Sequence, residues 1–371
     1  MKNITEFIKH PIKLKSNRVW RIYSGGKLLD EFCGIYPSTD GAYPEDWLGS
    51  VVEANNLPRD GKPLLEGLSM CDDGTGMYLK NLIEDQPEQL LGNEHFKQFG
   101  ANLGVLVKFL DSAVRLPIQV HPDKKAAKEL FHSAYGKTEA WYVLGGRCIN
   151  DEQPYILMGF QEGVTREQWQ QYFDSQDIGK MENSLHKIPV SPGDVFLVRG
   201  GTPHAIGPGC FLLEIQEPTD YTISVERKAP DGSSVPDFLC HQGIGFEKMF
   251  ECFHYFTQSR KKTLESCKLN PVCRLENENI TIEHLIGLEQ TKAFSLNKMT
   301  IRKSYHYPSD GRAAVLAIIG GTGKITYPEG TIWLKQGDSV FMPACMENVS
   351  LMSEEKNELI ILECLPPALE K

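Results

Sequence analysis

The chain has no CxxC pair among its ten cysteines and fewer basic than acidic side chains. It also has no uninterrupted run of about 18 apolar residues, the length at which a transmembrane helix becomes a candidate. Each shortage excludes a class of protein. Cysteines scattered from Cys33 to Cys364 offer no zinc-knuckle spacing, and 371 residues bury a core large enough to need no disulfide staples. They read as reduced thiols of a cytoplasmic protein. The opening segment Met1 to His10 has charge but lacks the apolar stretch and small-residue cleavage site of a secretion signal. With 39 Lys and Arg against 49 Asp and Glu, the formal charge is -10. That disfavours nucleic acid or an anionic membrane as partner, yet leaves room for a small anionic substrate beside a local basic patch. The phosphate-binding GxxxxGK[ST], the dinucleotide GxGxxG and the HExxH zinc helix are also missing.

What is present is a series of short apolar segments broken by polar turns. Leu103 to Leu110 is a strand with one polar interruption, and Leu116-Pro-Ile-Gln-Val-His-Pro-Asp123 is extended. In that extended segment Gln119 and His121 are two apart and share one face. Glu139 opens the next alternating run, with Lys137 two residues before it on the same side. His204 lies in the polar turn Gly200-Gly-Thr-Pro-His204, directly after another apolar strand. Two imidazoles and a carboxylate, with an amide oxygen as fourth ligand, suit a borderline divalent ion such as zinc. Glu214 and Glu217 follow His204 closely and are candidates for the wall of the same pocket.

The rhythm of short strands, without alternating helices, indicates a mainly β chain of sandwich or jelly-roll type. Residues 1–75 are rich in Gly, Pro and Asp and read as irregular strands and loops. Asp123 is placed to cap a short helix over residues 124–131. Thr165 and Gln168 have capping-box spacing ahead of an apolar face of Trp169, Tyr172 and Phe173. Phe246 to Phe256 has a helix-compatible aromatic face. The last hundred residues echo the earlier part, since Gly337-Asp-Ser-Val-Phe-Met342 parallels Gly193-Asp-Val-Phe-Leu-Val198. Glu347 or Asn348 stands where the first copy has His204. The expected organisation is therefore a metal-binding barrel with an N-terminal extension over 1–230, a partly helical insertion over 231–270, and a barrel without metal over 271–371. Gly320-Gly-Thr-Gly323 reads as a hairpin turn.

Gln119-Val-His-Pro-Asp123, Lys137-Thr-Glu-Ala-Trp-Tyr142, Pro192-Gly-Asp194 and Gly201-Thr-Pro-His-Ala-Ile206, in this order, resemble the type I mannose-6-phosphate isomerases. Leu106 to Asp111 and Trp47-Leu-Gly-Ser50 add to the match. The motifs span roughly residues 15–225, and the C-terminal part follows more loosely. The resemblance implies tandem cupin barrels with a small helical insertion and one Zn2+ ion, or another divalent transition metal, held by Gln119, His121, Glu139 and His204. It also implies reversible aldose–ketose isomerisation of a small phosphorylated sugar by a monomer or homodimer. The same family carries an arginine where this chain has Ser224. Arg227 and Arg199 are the replacements expected to bind the anionic group, with Lys137 turned into the pocket. Two other readings stay open: an isomerase of another sugar or sugar phosphate, and a carbohydrate-binding cupin without catalysis.

Overall fold

The protein, seen in a computed structural model, is described over residues 7–56, 59–354 and 357–369. Two pairs of sheets carry the chain, antiparallel except where Thr257–Gln258 pairs parallel with Tyr155–Gln161. In the first pair, a seven-stranded sheet runs in the order Lys268–Leu269, Val195–Val198, Glu139–Gly146, Cys210–Gln216, Leu106–Asp111, Glu45–Leu48, Arg18–Val19. Facing it are Ile223–Ser224, Gln119–Val120, His204–Ile206, Tyr155–Gln161 and Thr257–Gln258, with Leu185–Pro189 also paired to Tyr155–Gln161. The second pair consists of a seven-stranded sheet, from Ile12–Leu14 at one edge to Val272–Glu276 at the other, and a four-stranded sheet around Thr322–Tyr327. The architecture is mainly β and cupin-like, with a small helical content, and no sheet among the described residues closes on itself.

Why the large sheets read as nearly continuous apolar runs follows from their packing. Phe109, Ala140, Tyr142, Leu213 and Ile215 from the first seven-stranded sheet share one core with Val315, Ala317, Phe341 and Leu362 from the second. The two large sheets therefore press against each other, and each has its own smaller sheet on the opposite face. A strand covered on both sides must be apolar at every position that lacks a polar task. Strand parity then singles out the exceptions. In Cys210–Gln216, Leu212 packs between the paired sheets, so Glu214 and Gln216 face the same interior. By the same alternation Lys108 shares a face with Leu110, and Glu139 with Trp141. Buried charges on that one face, in strands otherwise apolar, mark where the site lies.

Local signals act as the sequence implied at several places. Asp123 caps Lys124–Phe131, its Oδ1 accepting from the Ala126 amide at 2.7 Å. Thr165 and Gln168 form the capping box at the start of Arg166–Ser175. The aromatic segment from Phe246 is different: it is a single α turn, Phe246–Met249, then a 3-10 turn, Phe250–Cys252, before the chain extends. Its rings are needed in a core with Phe160, Trp169 and Phe173, which a straight helix would carry past them.

Strand pairing crosses the expected segment limits at both ends. Ile12–Leu14 pairs with Ser339–Met342 of the second unit. From the 231–270 segment, Thr257–Gln258 and Lys268–Leu269 extend sheets of the first unit. Gly320 to Gly323 is not a hairpin turn. Ala314–Gly320 and Thr322–Tyr327 belong to different sheets, and the chain passes between them at Gly321, whose φ is 74°. A Cβ there would lie 1.9 Å from the Glu358 carbonyl oxygen, so the corner needs glycine.

Candidate metal centre and its cleft

Three strands and one turn bring the candidate ligands together. His204 sits opposite Gln119 in the register of the small sheet, and His121 follows Gln119 by two residues on the same face. Glu139 comes from the large sheet, at the start of its strand. His121, Glu139 and His204 are all buried, and their ligand atoms lie within 4.8 Å of one another, close enough to hold one divalent ion. Glu139 Oε2 is 3.1 Å from His121 Nε2, and Glu139 Oε1 is 3.3 Å from His204 Nε2. Among the described residues this is the one such grouping of His, Cys, Asp and Glu.

Backbone carbonyls aim both imidazoles. His121 Nδ1 bonds to the Tyr221 carbonyl and His204 Nδ1 to the Thr202 carbonyl, each at 2.8 Å. A carbonyl only accepts, so Nδ1 carries the proton in both rings and each Nε2 presents its lone pair inward. Burial, then the Lys137 ammonium, pushes the His121 imidazole down to about 3, so the ring is neutral and fit to ligate. Burial alone would raise the Glu139 carboxyl; the Lys137 ammonium instead holds it well below the usual carboxylate range.

The donor set fits a cation on two further counts. Glu139 Oε1 is buried and accepts no hydrogen bond. Lys137 Nζ, itself positive, donates to Glu139 Oε2 at 2.6 Å and to His121 Nε2 at 2.8 Å. The Gln119 amide end lies 3.2 Å from His204 Nε2 and 3.5 Å from His121 Nε2. It shows its nitrogen there; turned over about its last torsion, the same amide would offer an oxygen.

From this centre a cleft leads outward, lined by Gln119 and Lys137 at one end. Next come Lys108 and Glu214, with Lys108 Nζ 3.0 Å from Glu214 Oε1. Glu214 Oε2 accepts from Trp141 Nε1 at 3.1 Å, and the Trp141 ring stands edge-on to His204, 5.6 Å between centroids. Farther along, Glu45 gathers Tyr23 Oη at 2.6 Å, Trp47 Nε1 at 2.7 Å and Arg21 Nε at 3.0 Å. Burial opposes ionisation of Glu45, but Arg21 and Lys108 outweigh it and bring the carboxyl down to about 2. Asp220 clamps Arg21 with both carboxylate oxygens, at 3.2 and 3.3 Å.

Sequence reasoning and this geometry differ over the arginines. Arg227 and Arg199 do not line the cleft. The Arg227 guanidinium lies over the Phe173 and Phe246 rings, 4.7 and 4.3 Å from their centroids. Regular alternation from Ser224, which does line the cleft, already turns residue 227 the other way. Arg199 donates to the Ser266 and Gln290 carbonyls and borders a separate cavity. The arginine in the cleft is Arg21, with Lys108 beside it, and neither belonged to the expected set. Lys108 was signalled by being the one polar residue in an apolar strand; Arg21 carried no comparable signal. Of the two glutamates after His204, Glu214 lines the cleft and Glu217 accepts from the Thr138 amide instead.

Fold and site together define a cupin-like protein with a buried His–Glu–His centre for a divalent metal. Comparison with known proteins narrows this class. Residues 17–140 match the catalytic domain of type I phosphomannose isomerase, and residues 286–361 match the mannose-6-phosphate isomerase cupin domain. The chain is 32% identical over 316 residues to a probable mannose-6-phosphate isomerase, GmuF, of Bacillus subtilis, covering 85% of this chain and 88% of that one. It is 29% identical over 344 residues to the mannose-6-phosphate isomerase of Streptococcus mutans, covering 90% and 92%. A crystal structure of mannose 6-phosphate isomerase from Bacillus subtilis superposes with a TM-score of 0.72 at 25% identity, over 95% of this chain and 99% of that one. The chain belongs to the type I mannose-6-phosphate isomerase family.

Proposed function

We propose that this protein is a zinc-dependent isomerase interconverting mannose 6-phosphate and fructose 6-phosphate, built on two tandem cupin barrels with metal in the first alone. The observation that carries this reading is the convergence of two buried imidazoles and an under-bonded carboxylate at the head of a cleft containing Lys137, Lys108 and Glu214. His121, Glu139 and His204 would hold the ion, with Gln119 as fourth ligand through its amide oxygen. Imidazole ligands suit several divalent transition metals besides zinc, so another such ion could take its place.

Aldose–ketose isomerisation moves a proton between C2 and C1 and leaves negative charge on the adjoining oxygens. A bound divalent ion supplies carbonyl polarisation and stabilises that charge. The rest falls to side chains. Lys137 borders both the ligand atoms and the cleft, so its ammonium is placed to hold or give a proton at a substrate oxygen. Glu214 offers the carboxylate and Lys108 the ammonium of an ion pair facing the same space, an acceptor and a donor for the transferred proton and its oxygen. The apolar walls, Leu110, Leu116 and Ile206 among them, limit water around these charges.

One observation favours a second reading, an isomerase of another sugar. Arg21, Lys108 and Lys137 in the cleft are matched by Glu45, Glu214 and Asp220, and Ser224 contributes no charge. The test is turnover by metal-loaded protein of mannose 6-phosphate and fructose 6-phosphate beside mannose and fructose. Preference for the phosphorylated pair supports the main reading. Equal or better use of the free sugars supports the second, and sugar binding without any turnover would make the protein a binding cupin.

A further inference from the structure

Resting on the isomerase reading, we infer that Arg21 is the specificity-determining residue of the cleft: it receives the phosphomonoester end of the substrate. The argument starts from order along the cleft. Gln119 and Lys137 stand at the metal-centre end, where the reacting carbons must lie. Lys108 is held between Glu214 at 3.0 Å and Glu45 at 3.8 Å, in the middle of the cleft. Arg21 lies beyond Glu45, bonded to Asp220, which also accepts from the Asn55 amide. A six-carbon sugar phosphate with its carbonyl at one end carries its phosphate at the other. Arg21 is the cation the cleft presents there.

Its surroundings hold it ready. The guanidinium carbon lies 5.0 Å from the centre of the Trp47 ring, which is fully buried, so the plane is supported by a fixed face. Of the five N–H donors of a guanidinium, Asp220 takes two and Asn56 one, and Nε faces Glu45. The second Nη2 N–H stays uncommitted. Glu45 is also satisfied by Tyr23 and Trp47, and Asp220 accepts from the Asn55 amide, so neither carboxylate depends on Arg21 alone. An arginine held in one plane by carboxylates loses little freedom when it takes up an anion.

Ser224, by contrast, is the strand partner of Gln119 and lies at the metal-centre end. The role of Arg21 can be tested directly. Arg21→Gln should raise KM for mannose 6-phosphate and weaken competitive inhibition by inorganic phosphate by roughly ten- to a hundredfold, the worth of a charge-assisted contact. Its kcat should fall less, and binding of unphosphorylated fructose should not change. Because Arg21→Gln disturbs a buried network, Arg21→Lys serves as the second variant: it keeps the charge, loses the planar fork, and should show a smaller loss of the same kind. Unchanged KM and unchanged phosphate inhibition in Arg21→Gln would overturn the inference. So would parallel loss of free-sugar and phosphate binding in both variants. If the wild-type protein turns over no sugar phosphate, the isomerase reading fails, while the inorganic phosphate measurements still decide the role of Arg21.

Discussion

His204 lies directly across from Gln119 in the pairing of two antiparallel strands, 85 residues apart in the chain. That register places an imidazole beside an amide, and the two-residue strand period then delivers His121 to the same face. A shift of one residue would turn Gln119 and His121 into the core occupied by Val120 and Ala205. The candidate metal centre is therefore a property of sheet register as much as of residue type.

If these side chains are ligands, single replacements should be costly. His121→Ala and Glu139→Gln are each expected to lower zinc affinity by at least about tenfold, the smallest loss that disturbing a metal site usually brings. Activity should fall in step with metal content. Elemental analysis of purified variants checks this; full zinc stoichiometry in His121→Ala would remove that residue from the set.

Lys137→Met separates proton handling from metal binding. The variant should keep its zinc, since Lys137 is not a ligand, and lose about 10²- to 10⁴-fold in kcat, the span of general acid–base contributions. Wild-type kcat would show that the ammonium beside Glu139 plays no part in the reaction.

Glu45 predicts part of the acid sensitivity. Its carboxyl is depressed from 4.5 to about 2 in the folded protein. A depressed carboxyl stabilises the fold above its ordinary value, and that contribution is lost as pH falls from about 4.5 toward 2. By linkage it is on the order of 3 kcal/mol at neutral pH. Denaturant unfolding of Glu45→Gln should show lower stability at pH 7 and a shallower decline between pH 5 and about pH 2.5. Parallel declines in wild type and variant would contradict the assignment.

The two outlying arginines should behave unlike Arg21. Arg227→Ala removes a guanidinium stacked on Phe173 and Phe246, and about 1–2 kcal/mol of stability should go with it. Arg199→Ala removes two bonds to carbonyls far from the cleft. Neither should alter inhibition by inorganic phosphate, and a selective loss in either would return that residue to the site.

Much of this arrangement was legible in the sequence because the ligands obey local rules. Gln119 and His121 share a face by strand period, and Glu139 opens a run whose later residues on the same face, Trp141 and Val143, are apolar. The capping residues Asp123 and Thr165 announced their helices through side-chain chemistry alone. Arg21 was invisible for the opposite reason: its partners Glu45 and Asp220 are distant in the chain, and only sheet pairing brings them together. Arg227 is close to Ser224 in sequence but an odd number of residues away, so strand alternation points it away from the cleft. The corner at Gly321 looked like a hairpin because a glycine turn does not reveal whether the strands it joins share a sheet.

The most direct test of the central claim is a zinc titration of chelator-stripped protein, following mannose 6-phosphate isomerisation as the metal is added. A rise from negligible activity to a plateau at one zinc per chain is the expected result, with His204→Ala flat throughout. Full activity in the stripped protein, or a plateau that His204→Ala reaches at the same stoichiometry, would contradict a single catalytic metal held by His121, Glu139 and His204.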